Sequence, residues 1–170
     1  MLKPPINFKN WIESNRHLLK PPVGNQVVYD QGDFMVMVVG GPNSRKDYHV
    51  DPVEEFFFQL EGDMLLKVIE NGQRADIPIK EGEIFLLPKN LPHSPQRFKD
   101  TVGLVIEYKR EGGALDSFQW YCDECNSLLH EVSLQFEDIV TQLPPFFKSY
   151  WDDIDSRTCV RCGAVQEPPD

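Results

Sequence analysis

Apolar positions repeat with two different periods along this chain. Near the N-terminus they recur at helical spacing, at Phe8, Trp11, Ile12, Leu18 and Leu19. Asn10 and Glu13 resemble a capping box, and Pro21-Pro22 would end any helix that reaches them. The pattern predicts one N-terminal helix followed by a break.

Beyond this break the pattern indicates short β-strands. The stretch FMVMVVGG at 34–41 is apolar on both faces, as in a strand inside a barrel or sandwich. Residues 64–79 form two strand patterns around Asn71-Gly72, a strong hairpin signal, and further strand patterns occupy 82–88 and 101–110. No helical periodicity separates these strands, which argues against a parallel α/β sheet. The predicted fold class is all-β, a barrel or double-sheet jelly roll.

The strand signal stops near Arg110, and the pattern changes beyond it. The stretch EGGALDS at 111–117 is typical of a linker, and the rest of the chain carries all four cysteines. We therefore predict two units, a barrel over residues 1–112 and a small C-terminal segment over 113–170.

Charge and composition exclude several partners. The chain has 170 residues, 41% of them hydrophobic, and a net charge of -10. Such an acidic surface repels phosphate backbones and anionic lipids, so we expect neither nucleic acid nor membranes as partners. The N-terminal stretch MLKPPINFKNWIES lacks the apolar core of a signal peptide, and no apolar run approaches the roughly 18 residues that span a bilayer. We expect a cytoplasmic protein.

Two histidines and one carboxylate are candidate metal ligands. His49 and Glu55 are six positions apart, which places them on one face of an extended segment, although Pro52 makes the path irregular. His93 follows a proline-rich turn that restricts the loop before any metal arrives. Two imidazoles and one carboxylate form the facial triad of non-haem iron enzymes, but these residue types alone do not distinguish iron from manganese or zinc. The alternative is that both are ordinary surface or rim histidines.

The first half of this constellation resembles the first cupin motif. Gly41 is followed after five residues by Asp47, then His49, Glu55 and, after six more residues, Gly62. Asp47 occupies the position of the motif's first histidine, and the spacing between His49 and Glu55 is longer than usual. The ligand set is thereby reduced to the triad.

The second half resembles the second cupin motif. Gly82 is followed by Pro88, Asn90, His93 and Arg97 at the motif's spacing. Asn90 replaces a glycine, which is tolerable because asparagine accepts left-handed backbone angles. Arg97 replaces the final asparagine.

Longer strings give a narrower resemblance. LLKPPVGN, VVGGPNSRKDYHVDPVEEFFFQL, EGEIFLLPKNLPHSPQR and QWYCDEC look like the 3-hydroxyanthranilate 3,4-dioxygenase family, in its short form with a cysteine-rich tail. This family has a cupin-type double-stranded β-helix. It uses Fe²⁺ and O2 to open the ring of 3-hydroxyanthranilate in an extradiol manner. The product, 2-amino-3-carboxymuconate semialdehyde, leads from the kynurenine pathway to quinolinate and NAD.

The resemblance also implies individual roles. His49, Glu55 and His93 would hold the iron, with Glu55 also contacting the substrate. Arg97 would bind the substrate carboxylate, since a guanidinium fork matches a carboxylate. Glu107 would accept a hydrogen bond from the substrate amine or hydroxyl, and Arg45 would stabilise bound O2. Asp47 is expected to support the site rather than bind metal.

From the residues alone, plainer interpretations of three of these side chains remain open. Arg97 could form a surface salt bridge, Glu107 could be a charge at the solvent end of a strand, and Arg45 could be a solvated loop arginine.

The four cysteines form two Cys-x-x-Cys pairs. Cys122 and Cys125 precede Cys159 and Cys162 with 33 residues between the pairs. This arrangement predicts a tetrahedral site for zinc or a rubredoxin-like iron. Alternatives are a redox dithiol or a nucleic-acid ribbon. We favour a structural metal because a tail of this size buries little core.

Two other functions stay open at this stage. The chain could be a cupin metalloenzyme of another chemistry, or a non-catalytic cupin whose zinc ribbon serves as an interaction module. Because cupins commonly pair through sheet edges, we also expect a homodimer.

Overall fold

The computed structural model describes residues 4–21, 24–110, 112–135 and 139–169, without the side chains of 139–142. The helices are α1 (Phe8–Asn15), extended by a 3-10 turn at Arg16–Leu18, α2 (Ile139–Asp152) and α3 (Ile154–Arg157). The strands are β1 (Asn25–Tyr29), β2 (Phe34–Gly40), β3 (Asp47–Val50), β4 (Glu55–Glu61), β5 (Met64–Glu70), β6 (Gln73–Ile79), β7 (Ile84–Leu87), β8 (His93–Arg97), β9 (Val102–Tyr108), β10 (Asp116–Tyr121) and β11 (Leu128–Leu134).

Two antiparallel sheets form the barrel. The first sheet has the order β1-β2-β9-β4-β7, and the second has the order β11-β10-β3-β8-β5-β6. The main core lies between them and combines inward side chains of both sheets, namely Phe57, Met64, Leu66, Val68, Ile79, Leu87 and Val105. The predicted all-β, cupin-type double-stranded β-helix is confirmed.

The predicted N-terminal helix is confirmed, but its predicted cap is wrong. Asn7 is the capping residue, because its side chain accepts a hydrogen bond of 3.0 Å from the backbone N–H of Asn10. Glu13 instead pairs with Arg16. The regular helix ends well before Pro21, and Pro22 lies outside the described residues.

Strand β2 shows why a sequence can be apolar on both faces. Val38 is fully buried beneath α1, where it packs with Ile12. Its neighbours Met37 and Val39 point to the other side of the sheet, into a cavity inside the barrel. The hairpin prediction is also confirmed, since Asn71-Gly72 joins β5 to β6 with positive φ at both residues.

The strands do not stop near Arg110, contrary to the sequence-based expectation. β10 begins at Asp116, inside the segment interpreted as a linker, and pairs with β3 of the barrel. β11 then pairs with β10. The two predicted units, 1–112 and 113–170, therefore share one sheet.

Helix α2 packs against the face of β10 that carries Phe118 and Trp120. Its aromatic residues Phe147 and Tyr150 pack against Phe118 and Trp120, with Tyr150 and Trp120 stacked at 4.3 Å between ring centroids. No helix within the described ranges is long and apolar enough to cross a membrane.

Candidate active site and cysteine cluster

Three strand ends bring the predicted triad together. His49 on β3 is paired directly with His93, the first residue of β8, and Glu55 is the first residue of β4. One donor atom from each of the three lies within 4.8 Å of the others. The loops are tied to each other because Asn90, at φ 61°, donates its backbone N–H to the carbonyl of Asp51 at 2.7 Å. Asparagine thus fills the left-handed position that the motif gives to glycine.

Hydrogen bonds turn three electron-pair acceptors toward one point. His93 Nδ1 donates to the carbonyl of Leu91 at 3.0 Å, which directs Nε2 toward Glu55. His49 Nε2 donates to Asp116 Oδ1 at 2.8 Å, which leaves its Nδ1 bare. Glu55 Oε1 lies 2.9 Å from His93 Nε2 and 3.8 Å from His49 Nδ1. This oxygen is buried and makes no hydrogen bond.

Such a set of side chains suits a cation held between them. Burial opposes ionisation of Glu55, yet positive charge on His93 and His49 lowers its pKa to about 2. Burial opposes protonation of His93 as well, but Glu55 raises the pKa of this histidine. Burial also lowers the pKa of His49, against the effect of Asp116. A divalent first-row metal would take the place of the proton shared by Glu55 and His93 and bind an ionised carboxylate and neutral imidazoles, so the residues fit such an ion.

A cavity of about 180 Å³ opens beside the triad. All the predicted barrel site residues line it, together with apolar side chains of both sheets: Arg45, His49, Glu55, His93, Arg97, Glu107, Met37, Val39, Phe57, Val105 and Phe118. The structure therefore collects one cluster from segments that are far apart in the sequence.

Arg97 is a buried cation in this cavity. Its side chain makes one weak hydrogen bond within the described residues, from Nη1 to Gln59 Oε1 at 3.4 Å, and no carboxylate there lies within 4.0 Å. Burial accordingly lowers its pKa to about 10. A buried guanidinium with so few partners among the described residues favours the binding of an anionic ligand.

Glu107 is also buried, so the interpretation of a solvent-facing strand end is wrong. It points inward from β9, and only 4% of the residue is exposed. It accepts a hydrogen bond from Arg110. Burial raises the pKa of Glu107 to about 7, although Arg110 opposes the shift.

Arg45 lies at the edge of the same cavity and is held by Asp47. The guanidinium donates through two nitrogens to the two oxygens of that carboxylate, one of them Nε to Oδ1 at 3.2 Å. Asp47 itself is buried and belongs to none of the metal-binding groups found among the described residues.

The four cysteines form a separate cluster. Their sulfur atoms lie within 4.8 Å of one another, with Cys122–Cys162 and Cys125–Cys159 at 3.5 Å, and all four are free of disulfides. A tetrahedral metal with bonds of about 2.3 Å spaces its sulfur ligands by roughly 3.8 Å, so the cluster fits such an ion.

The two cysteine pairs are built alike. Asn126 and Gly163 have φ 57° and 77°, and each donates its backbone N–H to the carbonyl of the first cysteine of its pair. Contacts with the side chain and backbone of Ser127 lower the pKa of Cys125 to about 6. Both features favour thiolates that bind a metal.

The chain matches the 3-hydroxyanthranilic acid dioxygenase family over residues 1–151. It belongs to that family.

Curated relatives agree with this membership, and a solved structure shares the fold. The 3-hydroxyanthranilate 3,4-dioxygenase of Jannaschia sp. strain CCS1 is 55% identical over 169 residues, covering 97% of this chain and 94% of the relative. That of Xanthomonas campestris pv. campestris strain B100 is 52% identical and covers 100% of this chain and 96% of its own. The crystal structure of protein NMB1881 from Neisseria meningitidis is similar to 62% of this chain and 100% of its own, at 22% identity and a TM-score of 0.51, which supports the barrel fold alone.

Membership of the 3-hydroxyanthranilic acid dioxygenase family confirms the prediction of an oxidoreductase of the dioxygenase class.

Sequence reasoning missed part of this candidate site. Asp116 orients His49, Arg110 holds Glu107, and Leu143 of α2 closes one side of the cavity. Asp116 lay in the supposed linker, and the alternation of inward residues through DSFQWY was the signal that could have found it. Arg110 and Leu143 gave no local signal, since both act through contacts with distant segments.

Proposed function

We propose that this chain cleaves the ring of 3-hydroxyanthranilate with O2 to give 2-amino-3-carboxymuconate semialdehyde, the precursor of quinolinate and NAD. Support comes from the family match and from relatives that carry the name 3-hydroxyanthranilate 3,4-dioxygenase at 51–55% identity. The observation that carries the proposal is the buried Arg97 guanidinium, without a carboxylate partner among the described residues, in the same cavity as the triad.

His49, Glu55 and His93 would hold Fe²⁺ in this site. When bound, the iron supplies a Lewis acid and a route for electrons between an electron-rich ring and O2. Three protein ligands from one side leave room for both reactants.

The other side chains would bind and orient the substrate. Arg97 grips its carboxylate, and Glu107 accepts a hydrogen bond from its amine or hydroxyl group. Arg45, fixed by Asp47, places positive charge where oxygen gains negative charge. The apolar walls of the cavity, including Phe57 and Phe118, keep water away from the ring.

Anaerobic reconstitution with Fe²⁺, followed by mixing with 3-hydroxyanthranilate and air-saturated buffer, tests this function. The expected result is growth of the absorbance of the semialdehyde, with one O2 consumed per ring opened. Intact iron at the triad without product would contradict the proposal and favour a cupin enzyme of another chemistry. Absence of any metal at the triad would favour a non-catalytic interaction module.

The cysteine cluster is proposed to be structural and to hold iron or zinc. Its four thiolates form a closed shell with no position left for substrate, and Cys122 and Cys159 are buried. Chemistry therefore belongs to the barrel cavity.

We also propose a cytoplasmic homodimer that uses the outer face of the first sheet. Phe34, Tyr108, Ile84 and Leu86 project from this face and are 47%, 48%, 64% and 56% exposed. Phe56 and Ile106, paired in register, connect them into one apolar strip that α1 leaves uncovered. A second copy would bury this strip, and Leu86→Glu should shift sedimentation velocity from dimer to monomer. A monomeric wild-type protein at micromolar concentration would contradict this assembly.

A further inference from the structure

Arg110 lies where three buried carboxylates converge. Its side chain is 17% exposed and contacts Glu107 through Nη1, and Asp51 and Asp116 through Nη2 at 2.5 Å and 2.9 Å. Its Nε also reaches Asp116 Oδ1 at 3.2 Å. The three carboxylates come from three segments, namely the end of β9, the loop after β3 and the start of β10.

Two of these carboxylates act directly on the site. Asp116 accepts the hydrogen bond from His49 that leaves the opposite imidazole nitrogen free for a metal. Glu107 lines the cavity, where it would meet the substrate. One arginine is thus in contact with the group that orients a metal ligand and with the group that faces the substrate.

Charge makes this arrangement depend on the arginine. Burial raises the pKa of Asp51 to about 8 and that of Glu107 to about 7, and Arg110 opposes both shifts. Without the guanidinium, those carboxylates that ionise would repel one another at close range. Asp51 is further fixed because its Oδ1 accepts the backbone N–H of Val53 at 2.9 Å. Asp116 is held by Arg110 and His49 together, and Glu107 accepts its hydrogen bond from Arg110.

We propose that Arg110 is a positioning residue that sets both the metal affinity of the triad and the binding of the substrate. The substrate part of this inference rests on the proposed function, and the metal part does not. The fork of the guanidinium is essential, because different nitrogens point at carboxylates on different segments, and the single ammonium group of a lysine cannot span them.

Variants of Arg110 and of its two partners separate these effects. Asp116→Asn should weaken Fe²⁺ or Mn²⁺ binding at the triad by about 10- to 100-fold, the usual effect of losing a group that orients a ligand. Glu107→Gln should weaken anaerobic binding of 3-hydroxyanthranilate and leave metal affinity within about threefold. Arg110→Lys, which keeps the charge, should weaken both by about tenfold or more.

Metal titration of the protein with its cysteine cluster loaded, substrate titration without O2, and thermal unfolding are the three measurements. Arg74→Lys is the matched control, since Arg74 bridges β6 to the cysteine loop through Asn126 and the carbonyl of Cys122, away from the cavity. It should change neither affinity.

Three outcomes would overturn the proposal. They are unchanged metal and substrate affinities in Arg110→Lys, unchanged metal affinity in Asp116→Asn, and an Arg110→Lys variant whose only change is a lower unfolding temperature. If the wild-type protein does not turn over 3-hydroxyanthranilate, the proposed function fails, while the metal titrations still decide whether Arg110 acts through Asp116.

Discussion

The barrel triad and the cysteine cluster would hold a metal in opposite ways. The barrel takes two histidines and one carboxylate from strands far apart in the sequence and leaves a cavity beside them. The cysteine cluster takes four sulfurs from two short, similar turns, and these would supply all four ligands of a tetrahedral ion. An incomplete, mixed set of ligands suits chemistry, and a closed set of thiolates suits stability.

This difference also separates what each site depends on. The triad depends on the whole barrel, because its register places His49 opposite His93. The cysteine cluster depends mostly on its own turns, where Asn126 and Gly163 supply the left-handed backbone. The variants below are expected to affect one site and spare the other.

Loss of a triad ligand should have the largest effect. His49→Ala removes one of three ligands, so we expect the metal affinity of the barrel to fall by more than about 100-fold and turnover to be lost. The cysteine metal should remain at one ion per chain in elemental analysis. His17→Ala, at an exposed position on the 3-10 turn, is the control. Loss of both metals in His49→Ala would show that the two sites are not independent.

Loss of a cysteine ligand should produce the opposite result. Cys162→Ser opens the thiolate shell, and we expect a loss of roughly 3 kcal/mol in the free energy of unfolding, equal to about 6–12 °C in Tm. Iron at the triad should still bind. Val160→Ser changes a fully exposed neighbour and should leave Tm unaltered. Retention of the wild-type Tm after complete loss of the cysteine metal would argue against a structural role.

Removal of the buried guanidinium should affect the substrate and neither metal. In Arg97→Ala the KM for 3-hydroxyanthranilate should rise by about 30-fold or more, because a charged partner in a buried site contributes 2–5 kcal/mol or more. The fold decrease in kcat should be smaller than the fold increase in KM.

Arg97→Met keeps the volume and should raise KM in the same way. Its Tm should match or exceed that of the wild type, since the buried cation has no carboxylate partner among the described residues. An unchanged KM in both variants would refute the binding role of Arg97.

The smallest effect is expected at the junction between the two regions. Arg74→Gln removes contacts between the β5–β6 hairpin side of the barrel and the cysteine loop, and its side chain is 36% exposed. We expect a loss of about 1 kcal/mol, or 2–4 °C in Tm, with unchanged KM and unchanged metal content. A change in KM would mean that this junction transmits strain to the cavity.

Local signals in the sequence predicted a large part of this structure. Asn71-Gly72 predicted its hairpin because both residues accept positive φ, and the paired cysteines predicted their cluster because ligand spacing within each turn is fixed locally. The triad was found through motif spacing. The structure brings its three side chains within 4.8 Å of one another.

The remainder depends on pairing between distant segments. The start of β10 was mistaken for a linker because EGGALDS is rich in glycine, and pairing with the edge of β3 turns its last two residues into a strand. Asn10 was taken as the capping residue because Glu13 follows it three residues later. The actual cap is Asn7, whose side chain accepts the backbone N–H of Asn10, also three residues later. The role of Arg110 depends on three segments that only the closed barrel brings together.

The pairing of β10 with β3 has a practical consequence for anyone who shortens this chain. A fragment that stops at residue 112 would lose β10 and β11 and leave β3 as a bare sheet margin with unpaired amide and carbonyl groups. Such margins recruit other chains, so the fragment should precipitate during expression instead of yielding a miniature enzyme. The C-terminal segment therefore supplies part of the cavity wall, through Phe118 and Leu143.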